Sequence, residues 1–151
     1  MAAKKTSERL HVVLKLAQIK QQQAAERLAE ASRAVENNKQ QGQQLRVYQR
    51  EYNNHFHSYE QAPVNSQQMR NYQRFYNNLE EAVYTQDQRS DVAEQQLEFH
   101  RSHWQKCYGR EKNMASLIDR KCAEEGRKQE GKIQREMDDR VGSRLDMEKR
   151  R

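Results

Sequence analysis

A single proline divides this chain. Pro63 sits near the middle of 151 residues, and only five glycines accompany it. Proline removes a backbone donor and clashes with the preceding turn, so it ends a helix. The flanking segment Glu60-Gln61-Ala62-Pro63-Val64-Asn65-Ser66 reads as a short loop. Asn65 or Ser66 is placed to cap the next helix, with Gln68 three residues beyond Asn65. The expected layout is one hairpin domain over 1–151: helix one about 6–60, a loop at 61–65, helix two about 66–140, and a frayed tail at 141–151.

Composition supports helices over a globular core. Apolar residues make up 34% of the chain and charged residues 33%, with mean hydropathy of -1.38. Ordinary domains carry about 45–50% apolar residues on a similar count. A chain this polar is either disordered or built from long helices that bury a narrow stripe. Disordered chains usually carry many more helix breakers, and the shortage of them here selects the helices.

Each half carries such a stripe at alternating four- and three-residue steps, the coiled-coil period. In helix one it runs Leu10, Leu14, Ala17, Gln21, Ala24, Leu28, Ala31, Val35, Asn38, Gly42, Leu45, Gln49, Tyr52, Phe56, Tyr59. In helix two it runs Met69, Tyr72, Tyr76, Leu79, Val83, Gln86, Ser90, Ala93, Leu97, His100, Trp104, Cys107, Glu111, Met114, Ile118. Eleven of fifteen positions are apolar or aromatic in each, against about a third of the whole chain. Matching residue i with 128 − i sets every seam position opposite another: Leu10 with Ile118, Leu45 with Val83, Tyr52 with Tyr76, Phe56 with Tyr72. Polar Asn38 then meets Ser90, and Gly42 meets Gln86. On one edge Lys39 falls near Asp87 and Arg46 near Glu80, so the signs favour this register. The fold class expected is all-α, two long helices in an antiparallel coiled-coil hairpin with both termini at one end. Beyond Ile118 the stripe fails, and residues 119–151 are expected to form a C-terminal helical overhang.

Some apolar residues lie off the seam. Tyr48, Phe75 and Ala82 each precede a seam position, as does Gln41. In an antiparallel pair they share one edge, where with Leu45, Tyr52 and Leu79 they make an aromatic-aliphatic strip. The other edge is charged. A one-sided apolar strip marks a contact surface. The alternative is that Tyr48 and Phe75 fold over the seam and thicken a thin core.

Chemistry is sparse. Gly126-Arg-Lys-Gln-Glu-Gly131-Lys132-Ile133 nearly spells a phosphate loop, but it lacks the Ser/Thr that holds magnesium and follows no strand. His100, His103 and Cys107 share a helical face at metal-ligand spacing, yet no strong fourth ligand faces them. No nucleophile-base arrangement is expected to have a pocket to occupy, since a two-helix hairpin is expected to have no cavity. No catalytic residue, cofactor site or metal site is expected. The net charge is +6, but it spreads as +2 over residues 1–9, +2 over 10–118 and +2 over 119–151, without the concentrated patch that nucleic acid needs. No apolar run approaches the ~20 residues of a membrane helix, and Leu10–Leu16 is too short for a secretory core. Cys107 and Cys122, fifteen residues apart on one helix, stand ~22 Å from each other. That exceeds disulfide reach, as a reduced cytoplasmic setting predicts.

The aromatic strip carries a family likeness. Gln44-Leu-Arg-Val-Tyr48-Gln-Arg-Glu-Tyr52, then Asn71-Tyr-Gln-Arg-Phe75-Tyr-Asn-Asn-Leu79-Glu-Glu-Ala82-Val83, resembles the flagellar export protein FliJ family. The resemblance is sharpest over 41–86, and Gln49, Gln86 and the very polar tail depart from it. It implies a non-catalytic component of the bacterial flagellar type III export apparatus, similar to the central stalk of rotary ATPases. It implies that the end carrying the termini enters the ring of the export ATPase FliI. The contact with the cytoplasmic domain of the export-gate protein FlhA would use Gln41, Leu45, Tyr48, Tyr52, Phe75, Leu79 and Ala82. Escort of export chaperones is implied too, with a cytoplasmic location peripheral to the export apparatus at the inner membrane. The stalk protein of a virulence-type injectisome and a generic coiled-coil scaffold are the alternatives that the residues leave open.

Overall fold

A computed structural model describes residues 5–59 and 65–150. Two helices make up the described chain, α1 over Thr6–Tyr59 and α2 over Ser66–Lys149. They lie against each other as an all-α hairpin, with no strand among the described residues. The expected break at Pro63 lies outside the described residues. The cap after it is described, and it is a capping box. Gln67 N donates to Asn65 Oδ1 at 3.3 Å, and Asn65 N donates to Gln68 Oε1 at 3.4 Å. Helix α2 continues to Lys149, past the boundary expected near residue 140.

Neither helix owes its length to intrinsic propensity alone; burial of the stripe holds them. The buried apolar residues are Ala24, Leu79, Ala93, Cys107 and Ile118, and all five fall on the seam. Every other seam position with a described side chain is buried or half-buried, apart from Met69. Among the described residues no large side chain is fully enclosed, as expected where two helices alone share a core. No helix among them is long and apolar enough to cross a membrane.

The chain divides into two compact units, Gln23–Gln105 and Met1–Gln22 with Lys106–Arg151. Within Gln23–Gln105 the register is the expected one. Phe56 and Tyr72 stack with centroids 3.8 Å apart, and a Cβ built on Gly42 would meet Gln86 Cγ at 3.8 Å. Three pairings differ in detail. Asn38 takes Gln86 as its partner in place of Ser90: Gln86 Nε2 donates to Asn38 Oδ1 at 2.9 Å and to Asn38 O at 3.0 Å. The Gln86 side chain passes Gly42 and reaches one turn further. Arg46 pairs with Asp87 at 2.7 Å, in place of the Arg46–Glu80 and Lys39–Asp87 pairs. The edge and the signs are those expected, and the partner is one heptad along, within reach of a long guanidinium arm. Tyr52 stacks on Tyr72 at 4.8 Å and tilts against Phe75 at 4.4 Å, where Tyr76 was the expected partner. Large rings lean along the helix instead of meeting the residue straight across.

In the unit of Met1–Gln22 and Lys106–Arg151, the first turn of α1 is fastened to α2. Ser7 N and Ser7 Oγ donate to the two carboxylate oxygens of Glu125 at 3.1 and 2.6 Å. A helix start leaves four backbone N–H groups unsatisfied, and here a carboxylate from the other helix takes one of them. Ser7 is buried. The overhang expected from residue 119 starts later, because the first turn of α1 still packs at Glu125: Lys121, Glu124 and Glu125 are half-buried, and every side chain is exposed only from residue 132 to residue 150. Short-range links line it: Gln134 Nε2 donates to Asp138 Oδ1 at 3.1 Å and Ser143 Oγ to Asp139 O at 2.8 Å.

Candidate functional site

Coiled-coil geometry fixes which flank each off-seam residue occupies. Arg46 and Asp87 each follow a seam position, and their 2.7 Å contact spans one flank. Residues that precede seam positions therefore occupy the other flank, which puts Gln41, Tyr48, Phe75 and Ala82 on one side. Leu45 and Ala82 line a common shallow groove there with Asn78, Gln86 and Arg89.

The seven strip residues are not equally available. Tyr48 is 59% exposed and lies over α1 beside Gln44 and Val47, so it does not fold over the seam. Phe75 is 49% exposed but rests one face on Tyr52, so it serves core and surface at once. Gln41 is exposed; Leu45, Tyr52 and Ala82 are half-buried. Leu79 is buried and acts as the floor of the strip. The strip is thus a shelf with two aromatic faces available and an aliphatic base.

Beyond Tyr52 and Phe75 the strip runs into a cavity of about 500 Å³. Tyr52, Phe56, Tyr72 and Phe75 supply its rings, and Met69, His55, Gln68 and Asn71 complete the lining. The heptad spacing places Phe56, Met69 and Tyr72 in the seam and predicts no cavity, whereas the structure opens one among them. The signal was present: aromatic residues crowd the seam on both sides of Pro63, and large rings across a two-helix interface cannot close without a gap.

A second apolar area lies in the unit of Met1–Gln22 and Lys106–Arg151. Val13, Leu16, Ala17, Cys107, Met114 and Leu117 line an open groove, with Lys20 and Arg110 also in its wall. Val12, Leu16 and Ile19 extend it as an exposed face at helical spacing. That spacing is masked in the sequence by the adjacent seam positions Leu14 and Ala17.

Electrostatics is informative near the α1 start. Hydrogen bonds from the Ser7 side chain and backbone hold the Glu125 carboxyl below its ordinary value. Lys128 and Lys121 draw Glu124 down to about 2 by hydrogen bonding and charge, and Glu124 in turn raises Lys128. These are structural pairings on the surface. Among the described residues no three His, Cys, Asp or Glu side chains converge as a metal site. Phe99 lies against His100 and His103, with ring centroids 5.4 and 6.5 Å away. The glycines of 126–131 lie inside α2 with ordinary helical φ, so their N–H groups do not form the cradle of a phosphate loop.

Fold and site define the class: a two-helix hairpin protein with an aromatic shelf on one flank and open apolar grooves. The chain belongs to the FliJ family, whose description is Flagellar FliJ protein and which matches residues 6–150. No curated protein and no solved structure matches it. The family consists of non-enzymatic components of flagellar type III protein export.

Proposed function

We propose that this protein couples the export ATPase to the export gate without chemistry of its own. The shelf of Gln41, Leu45, Tyr48, Tyr52, Phe75, Leu79 and Ala82 takes the cytoplasmic domain of FlhA. The groove of Val13, Leu16, Ala17, Met114 and Leu117 contributes to the contact with the FliI ring. Export chaperones for late substrates are further partners, and the protein works in the cytoplasm at the inner-membrane export apparatus. Coupling of this kind needs contacts that differ between gate states, because a partner shifts an equilibrium only by its differential affinity.

The observation that carries the gate reading is Tyr48. It is a large aromatic side chain left 59% exposed on the flank opposite the Arg46–Asp87 pair, and it adds nothing to the seam. Exposed aromatic residues beside a well-packed base are the usual energetic anchors of interfaces. The test is a pull-down of purified FlhA cytoplasmic domain by the variant Tyr48→Ala with Phe75→Ala. Helicity by circular dichroism stays at the wild-type level and gate binding is lost. Retained binding would refute the shelf as the contact.

A further inference from the structure

We infer that the aromatic cavity beside the shelf is an anchor pocket, which receives one uncharged apolar side chain of the gate domain. The inference rests on the gate reading and adds to it a subsite and the kind of residue that fills it.

Three observations carry it. First, the cavity shares Tyr52 and Phe75 with the shelf, so a partner covering the shelf also meets the cavity mouth. Second, its lining is selective. In a chain with 33% charged residues, none of the eight lining residues is Asp, Glu, Lys or Arg. The groove at Leu45 and Ala82 contains Glu81 and Arg89, and the groove at Val13 and Met114 contains Lys20 and Arg110. A cationic occupant entering the aromatic cavity would lose water and gain no counter-charge, since His55, the one basic group in the lining, is no partner for it, whereas an aromatic or aliphatic occupant buries against rings and a thioether. Third, Met69 is the one seam position with a described side chain that stays exposed, at 38%. A methionine left open at the edge of an aromatic cluster is an adaptable contact that closes over an incoming side chain. Apolar clefts of a few hundred Å³ with a few polar groups at the rim are the usual form of such subsites.

The test separates this pocket from the shelf. Binding of the purified FlhA cytoplasmic domain is measured by calorimetry against the full-length chain and three single variants. Tyr48→Ala touches the shelf and not the cavity. Met69→Trp sets a large rigid ring in the cavity wall and narrows its mouth, and Asn71→Lys sets a charge at its rim on an exposed position beyond the capping box. Helicity is checked for each. The inference expects Met69→Trp and Asn71→Lys each to weaken binding tenfold or more. Tyr48→Ala weakening binding while both cavity variants bind like wild type overturns the pocket and leaves the shelf standing. No change in any of the three variants, or no binding by the wild type, overturns the gate reading and the pocket with it.

Discussion

Gly42 sits on the seam, buried, inside a helix of 54 residues. Replacing it with alanine tests whether the polar layer at Gln86 is spaced as described. Glycine in a helix interior is about 1 kcal/mol less favourable than alanine, because it gives up more backbone freedom. A Cβ at Gly42 meets only Gln86 Cγ within 4 Å, at 3.8 Å, which is ordinary van der Waals contact. The added methyl therefore buries without strain and contributes up to ~0.8 kcal/mol more. Gly42→Ala is expected to stabilise the fold by about 1–1.5 kcal/mol. With a urea slope of about 1–3 kcal/mol/M, the midpoint rises by roughly 0.3–1.5 M. Gly126→Ala is the control. It is exposed with nothing within 4 Å of a Cβ, so only the backbone part applies and the rise is smaller. A Gly42→Ala midpoint at or below wild type, with the slope unchanged, would mean that Gln86 lies closer than described and that the reasoning on this layer is wrong.

Other expectations follow from the same contacts. Gln86→Glu sets a buried carboxylate against two acceptor oxygens of Asn38 and should destabilise by about 2 kcal/mol at neutral pH; the deficit should shrink at pH 4 in urea melts, as a protonated side chain can donate again. Glu125→Gln weakens the Ser7 clasp. Because folding lowers the Glu125 pKa, the wild-type advantage over this variant is full above the ordinary carboxylate range and fades as pH falls below it, which paired melts at pH 7 and pH 3 will read. For Glu124, lowered from 4.5 to about 2, the Lys121 and Lys128 contribution is present above 4.5 and is lost as pH falls toward about 2; Glu124→Gln should flatten that part of the acid limb, and an unchanged limb contradicts the pairing.

The seam was legible because two physical facts act on every residue of it: a helix repeats its face at a fixed period, and apolar side chains leave water. Ala24, Ala93 and Ile118 followed from spacing alone. Reach was not legible. Arg46 spans to Asp87 because its side chain is long, and Gln86 reaches Asn38 because its flexible side chain carries the amide a turn along the helix; neither follows from a register rule. The shelf was partly legible, since Tyr48 and Phe75 stood off the stripe, but spacing could not tell that Phe75 leans on Tyr52 while Tyr48 stands clear. The cavity was hidden because it is a property of ring shape, and a pattern of apolar positions carries no volume. The Ser7–Glu125 clasp joins residues far apart in the chain through one serine and one glutamate among many, and no local signal marks such a pair.

That clasp sets an order of events. Tyr72 meets Asn53 across 19 residues of chain, whereas Ser7 meets Glu125 across 118. Closing a longer loop gives up more freedom before any contact forms, so the hairpin zips from the aromatic end and latches last at Ser7. Opening runs in reverse. Amide exchange should be faster in the first turns of α1 than around buried Leu79 and Gln86.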